Sequence, residues 1–216
     1  MSTLLLTGFE PFDGETLNPS WEAVRQLDGE LLDGCRIVAV QLPCVFGKAL
    51  QALCQALARH QPSLVLAVGQ AGGRAELSLE RVAINLDDAR IPDNAGAQPI
   101  DVPVIAGAPA AYFSTLPLKA MVAALRENAI PASVSHSAGT YVCNHVFFGL
   151  MHAASQLPGL RRAGFLHIPY LPQQAAAHAS GTPSMALPQI VSGMRIALRT
   201  AIQTVHDVRL SGGTTH

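Results

Sequence analysis

SLVLAVG, residues 63–69, is a continuous apolar run with Pro62 before it and a glycine at its end. A strand covered on both faces reads this way, because neither face has to meet water. Upstream, KALQALCQALARH (48–60) carries Ala49, Leu50, Leu53, Cys54 and Leu57 at the spacing of one buried helix face. Before that come a second apolar strand, RIVAVQL (36–42), and a helix with Asn18 as N-cap and Pro19 at its first position. That helix runs through Trp21 and Val24 to Leu27, and TLLLTG (3–8) precedes it as the first strand. The order β–α–β–α–β predicts parallel pairing through right-handed crossovers, hence an α/β fold.

Beyond Gly69, Gln70–Gly73 predicts a tight turn. LSLERVAIN (77–85) alternates as one strand, with Leu79, Val82 and Ile84 as core positions. Residues 95–117, rich in Pro, Ala and Gly, read as a long surface excursion and a candidate subunit contact. A helix over Leu118–Asn128 stops before Pro131, and ASVSH (132–136) is a short strand. Next, SAGTYVCNHVFFGLMH (137–152) passes from a small, flexible run into an apolar helical pattern. GFLHIPY (164–170) is a strand ending at Pro169, residues 171–182 are a loop, and 183–206 form the last helix. One domain over 1–210 accounts for the pattern, with a disordered tail over 211–216.

Composition removes several functions. The chain has 216 residues, 13% of them charged, and a formal net charge of −1, with no basic stripe to attract nucleic acid or an anionic membrane. Low charge with 49% hydrophobic residues suggests apolar surface covered by further subunits. The start, MSTLLLTGFE, lacks the basic region of a signal peptide, and no run reaches membrane-spanning length. Four irregularly spaced cysteines with no CxxC pair suggest neither a disulfide framework nor structural zinc. The Asp87, Asp88, Arg90, Asp93 cluster lacks the glycine and distal glutamate of a calcium loop. A cytoplasmic protein without metal or cofactor is expected.

Three residue types carry chemistry. Cys143 falls at a helix N-terminus, where unpaired N–H groups and the macrodipole favour a thiolate. His167, on a rigid strand, is placed to face it, as a cysteine nucleophile needs. On residue type alone, Cys143 can equally be a packed thiol and His167 a satisfied core histidine. Cys35, Cys44 and Cys54 read as core or near-core thiols. Glu80, among apolar neighbours, requires a partner, ordinarily an arginine. Phe9 and Phe12 stand in the loop after the first strand, where α/β sheets bind ligands, although both rings can serve simply to pack that loop.

Four stretches together resemble the pyroglutamyl-peptidase I (pyrrolidone carboxyl peptidase) family of cysteine peptidases. They are LLTGFEPFDGETLNPSWEAV (5–24), GQAGGRAELSLERVAINLDDARIPDN (69–94), SAGTYVCNHVFFGLMH (137–152) and GFLHIPYLPQQ (164–174), extending through PSM (183–185). The resemblance implies a single-domain, three-layer α/β/α sandwich with a largely parallel, mixed central sheet, commonly assembled as a tetramer. It implies a cysteine exopeptidase that removes N-terminal pyroglutamyl residues from peptides. Cys143 is then the nucleophile, His167 the base and later the acid, and Glu80 the group that orients the imidazole. Substrate contacts are expected from Phe9 and Phe12 as lactam walls, from Gln70 through hydrogen bonds, and from Val142 and Arg90, with Asn18 bracing the loop. His136-Ser137 departs from an Asn followed by Thr or Ser, and Phe148 from a frequent tyrosine. Two other readings remain: a pyroglutamyl-binding module without turnover, and a nucleoside-phosphorylase-like enzyme. The latter leaves Cys143 idle and needs a phosphate site, for which GQAGGR (69–74) is the candidate.

Overall fold

The apolar run that organises the sequence lies at the middle of the sheet. The computed structural model describes residues 2–213. Its first half comprises β1 (Ser2–Phe9), α1 (Pro19–Val24, continued by a 3₁₀ turn over Arg25–Leu27), β2 (Leu31–Leu32), β3 (Cys35–Leu42), α2 (Lys48–His60) and β4 (Leu64–Gln70). There follow β5 (Leu77–Glu80), β6 (Val82–Ile84), β7 (Ala111–Phe113), α3 (Leu118–Glu127), β8 (Ala132–Ser135), α4 (Val142–Gln156), β9 (Arg162–Ile168), α5 (Pro172–Ala175) and α6 (Leu187–Gln203).

Seven strands form one sheet in the order β2-β3-β1-β4-β9-β5-β8. β3, β1, β4 and β9 run parallel, whereas β5 is antiparallel to β9 and carries β8 parallel beside it. The strands turn alternate residues to opposite faces. Leu66 and Val68 join Leu4, Leu6, Leu77 and Leu79 under α1, α3 and α6, while Val65 and Ala67 join Leu5 and Phe165 under α2 and α4. β4 is buried on both sides, so its sequence has no polar alternation. The result is the expected mixed, mostly parallel sheet between two helical layers.

The cap expected at Asn18 is present: its Oδ1 accepts from Ser20 N–H, and Pro19 opens α1. Other boundaries differ. The single strand read over 77–85 breaks at Arg81, whose N–H donates to Ser135 O and whose carbonyl accepts from Ser114 N–H. Val82–Ile84 therefore leaves the main sheet and pairs with β7, a strand inside the 95–117 excursion, as a separate two-stranded ribbon. The tight turn lies at Ala71–Arg74, because Gln70 still pairs with Ile168. Residues 171–182 contain α5. The last helix starts only at Leu187, since Met185 N–H donates to Tyr170 O and holds the preceding residues extended. On α2, Ala56 is buried and Cys54 is exposed, so Cys54 is not a core thiol.

The expected disordered tail, 211–216, lies partly outside the described residues; within them, Gly212 O accepts from Arg81 Nη2 at 3.5 Å. Among the described residues no helix is long and apolar enough to cross a membrane.

Candidate active site

β4, β9 and β5 present one face to α4, and that face carries the expected catalytic residues. Gly69 and His167 are directly paired between β4 and β9, and Ser78 of β5 pairs with His167 from the other side. Glu80, two residues along β5, shares the face with His167 and is fully buried. His167 Nδ1 is 2.7 Å from Glu80 Oε1. Cys143 comes from above, at the second residue of α4. A Cβ added to Gly69 would stand 2.7 Å from Cys143 Sγ and 2.8 Å from the Phe165 ring. Only glycine at 69 lets the sulfur lie against the sheet at the position paired with His167.

The start of α4 is built for an anion. Gly139, at φ +75°, turns the chain, and Tyr141 stands at the N-cap position with extended backbone and no side-chain hydrogen bond to the helix's own N–H groups. His145 N–H is the first to bond back, to Tyr141 O, so the N–H groups of Cys143 and Asn144 have no acceptor within the helix.

Charge in the site is set by competing effects. Burial alone would raise the Glu80 carboxyl, but the hydrogen bond and charge of His167, with Arg74, hold it below the ordinary value. Burial pushes His167 below the usual imidazole value, more than Glu80 pushes it up. Burial, helped by Cys44 and Glu80, pushes the Cys143 thiol up, while Arg74 and the helix N-terminus pull it down. At neutral pH the resting site is therefore carboxylate, neutral imidazole and thiol. An ionised carboxylate can only accept, so the His167 proton sits on Nδ1 and Nε2 keeps a lone pair. Burial holds Cys44 near 12, protonated and inert.

The expected substrate residues separate into groups. Phe9 ends β1 instead of standing in the loop; it is 1% exposed, with its ring centroid 6.4 Å from that of Phe165. Phe12 is half-buried in the loop, 6.0 Å from the Tyr141 ring, and Phe46 meets Tyr141 edge-on at 5.5 Å. Val142 is fully buried beside Cys143. Asn18 braces the loop, its Nδ2 donating to Glu10 O at 3.0 Å. Gln70 Oε1 accepts from Gln174 Nε2 at 3.2 Å, and Gln174 also reaches Glu15 and Leu17 O. Arg90 is exposed and forms no ion pair among the described residues.

The model of the pyroglutamyl peptidase family matches residues 2–204. A pyrrolidone-carboxylate peptidase of Cupriavidus taiwanensis is 62% identical over 217 residues, covering all of both chains, and one of Escherichia fergusonii is 60% identical, again over both chains entirely. The crystal structure of pyroglutamyl peptidase I from Bacillus amyloliquefaciens superposes with a TM-score of 0.94 at 47% identity, covering 98% of this chain and all of that one. The chain belongs to the pyroglutamyl peptidase family.

Several residues that serve this peptidase were not legible as such. Arg74, read only as part of a candidate phosphate loop, donates from Nη1 to Glu80 Oε1 at 2.7 Å. Tyr141, two residues before Cys143, anchors its hydroxyl on Pro92 O at 3.0 Å. His145 forms a second buried pair: its Nδ1 is 2.7 Å from Asp87 Oδ2, while Gly47 N–H donates to its Nε2. The Asp cluster thus braces protein: Asp93 accepts from the N–H groups of Phe46, Ala95 and Ala97. At the departures, exposed Ser137 accepts through Oγ from Gly139 N–H, and buried Phe148 packs on Tyr112 at 5.2 Å.

Proposed function

We propose that this peptidase removes N-terminal pyroglutamyl residues from peptides through a thioester on Cys143, with His167 and Glu80 as its partners. The carrying observation is a cysteine at an uncapped helix N-terminus, lying over Gly69 on the same face as an imidazole oriented by a buried carboxylate. His167 Nε2 takes the thiol proton as Cys143 Sγ attacks the pyroglutamyl carbonyl carbon. N–H groups at the start of α4 stabilise the oxyanion. The C–N bond then breaks, and the imidazolium hands its proton to the departing amine. Water, deprotonated by His167, cleaves the thioester and releases pyroglutamate and the thiol. Glu80 stays ionised throughout and offsets the imidazolium charge.

The substrate ring is uncharged, because its amine is tied into the lactam. It asks for flat apolar walls and a few hydrogen bonds. Val142 adjoins the nucleophile in the chain, Phe12 packs on Tyr141 two residues before it, Phe9 backs the site through Phe165, and Gln70 offers a polar edge; Arg90 lies on the segment that holds Tyr141. Hydrolysis of a chromogenic pyroglutamyl amide tests the activity. Turnover is expected to disappear in Cys143→Ser and after iodoacetamide, and to persist when Cys35, Cys44 or Cys54 is replaced by alanine. Wild-type turnover in Cys143→Ser would overturn the mechanism.

The same reading makes the protein a cytoplasmic homotetramer. Free cysteines fit a reducing compartment, and exposed Ile100, Val102 and Phe113, at 69%, 44% and 71%, put apolar surface on the 95–117 excursion and its ribbon. Light scattering on wild type and Phe113→Asp, with fractionation of cells, checks both. A monomeric wild type would remove the tetramer.

A further inference from the structure

We propose that Arg74 is a positioning residue for this peptidase, fixing both the Glu80 carboxylate and the loop that leads into Cys143. The inference rests on the Glu80–His167–Cys143 assignment. Arg74 Nη1 donates to Glu80 Oε1 at 2.7 Å, and Nη2 donates to Ser137 O at 3.1 Å. Glu80 Oε1 therefore receives two donors, Arg74 and His167 Nδ1, each at 2.7 Å. Oε2, also buried, has no hydrogen-bond partner among the described residues.

A fully buried carboxylate facing only a neutral imidazole is poorly held in its charged form. If Glu80 took a proton, it would donate to Nδ1, and the imidazole proton would move to Nε2. The nitrogen facing the nucleophile would then be a donor and could not act as base. A guanidinium on the same oxygen keeps the carboxylate charged, and so keeps the base competent. The second prong bears on the nucleophile itself. Ser137 O belongs to the turn that enters α4 through Gly139 and Tyr141, so one rigid fork ties the carboxylate strand to the nucleophile's helix. Arg74 is 30% exposed at its side chain, while Glu80 is not exposed at all.

The charged groups that act on His167 are Glu80 from β5 and Arg74 from the turn after β4, and Cys143 of α4 lies over Gly69, the residue paired with His167. Ser135 of β8 lies beside Glu80, and Cys44 beside Cys143. Removing the Arg74 charge lets Glu80 take its proton at higher pH and lets His167 become charged at higher pH. Both changes withdraw the neutral base on the acid side, so they act in one direction.

The test is the pH profile of kcat/KM on a pyroglutamyl amide for wild type, R74Q, R74K, E80Q and the double variant E80Q/R74Q, with melting curves for each. R74Q should lose about 10- to 100-fold in kcat with KM little changed, and its acid limb should move up by about one pH unit. R74K restores a charge but not the fork, so it should recover the limb and only part of kcat. The double variant should fall only a few-fold below E80Q, because Arg74 acts chiefly through the carboxylate and its hold on Ser137 O adds a smaller part. It leaves no unpaired buried carboxylate, so it decides the matter where R74Q alone does not fold. A folded R74Q with the wild-type acid limb overturns the proposal, as does a further tenfold loss in the double variant relative to E80Q. An E80Q enzyme with wild-type kcat/KM overturns the carboxylate assignment and Arg74 with it; an impaired E80Q beside a wild-type R74Q overturns Arg74 alone.

Discussion

At the scale of single residues, Phe9 and Phe12 look alike in sequence and differ in the fold. Phe9 is buried at the end of β1, one ring away from His167: its ring packs on Phe165, whose centroid is 4.9 Å from that of the imidazole. Phe9→Ala would leave a core cavity costing about 3–5 kcal/mol, so its first effect is a lowered melting temperature. Phe12 is half-buried against Tyr141, with no strand to support. If it forms a lactam wall worth about 1–3 kcal/mol, Phe12→Ala lowers kcat/KM by roughly one to two orders of magnitude at nearly unchanged melting temperature. Steady-state kinetics beside thermal melts separate the two, and unchanged kinetics in Phe12→Ala would leave that ring a packing role. His167 and Glu80 also differ in kind. In the proposed mechanism His167→Ala removes the group that moves protons and should be as damaging as loss of Cys143, whereas Glu80→Gln still offers a carbonyl acceptor to Nδ1 and should cost less. A Glu80→Gln enzyme more crippled than His167→Ala would reverse these roles.

Among the elements, the contact between α4 and β4 decides whether the site exists. Cys143 Sγ rests where a side chain at 69 would begin, so Gly69→Ala must push the sulfur or the Phe165 ring aside. We expect a folded protein with kcat reduced at least tenfold and slowed alkylation by iodoacetamide, since displacement of even an ångström spoils attack geometry. Normal alkylation and turnover in Gly69→Ala would show that the helix yields without loss. These elements were largely legible. β4 announced itself by an unbroken apolar run, α1 by Asn18-Pro19, and α4 by its small-residue entrance. What was not legible depends on distant partners. The break at Arg81 is set by hydrogen bonds to Ser135 and Ser114, and no local pattern in LSLERVAIN marks it. β7 and α5 are three and four residues long, too short for a period to show. Glu80 was visible as a carboxylate in need of a partner, but that it serves His167 and Arg74 at once is a property of three strands and a turn meeting.

Taken as a whole molecule, the sheet has a seam, and the proposed catalytic pair spans it. β3, β1, β4 and β9 form one parallel block, and β5 with β8 forms another that joins it antiparallel at β9. The Glu80–His167 hydrogen bond crosses that junction, so its protonation state bears on stability as well as on catalysis. Glu80 is held below its ordinary 4.5, so its stabilising contribution is present above that value and is lost as pH falls through the lowered one. His167 is held below 6.5, so as pH falls through 6.5 the unfolded chain takes up a proton that the folded one refuses, and stability drops again with acid. The pair titrates together, yet both contributions have the same sign. Melting temperature should therefore decline from about pH 7 towards pH 5, and more steeply below 4.5. The decisive quantity is the difference between wild type and His167→Gln, which isolates this one imidazole. That difference should shrink as pH falls through 6.5, because the variant has no buried imidazole to keep neutral. A gap constant from pH 7.5 to 5 would mean that His167 takes its proton as readily folded as unfolded, and that the seam is indifferent to the charge it carries.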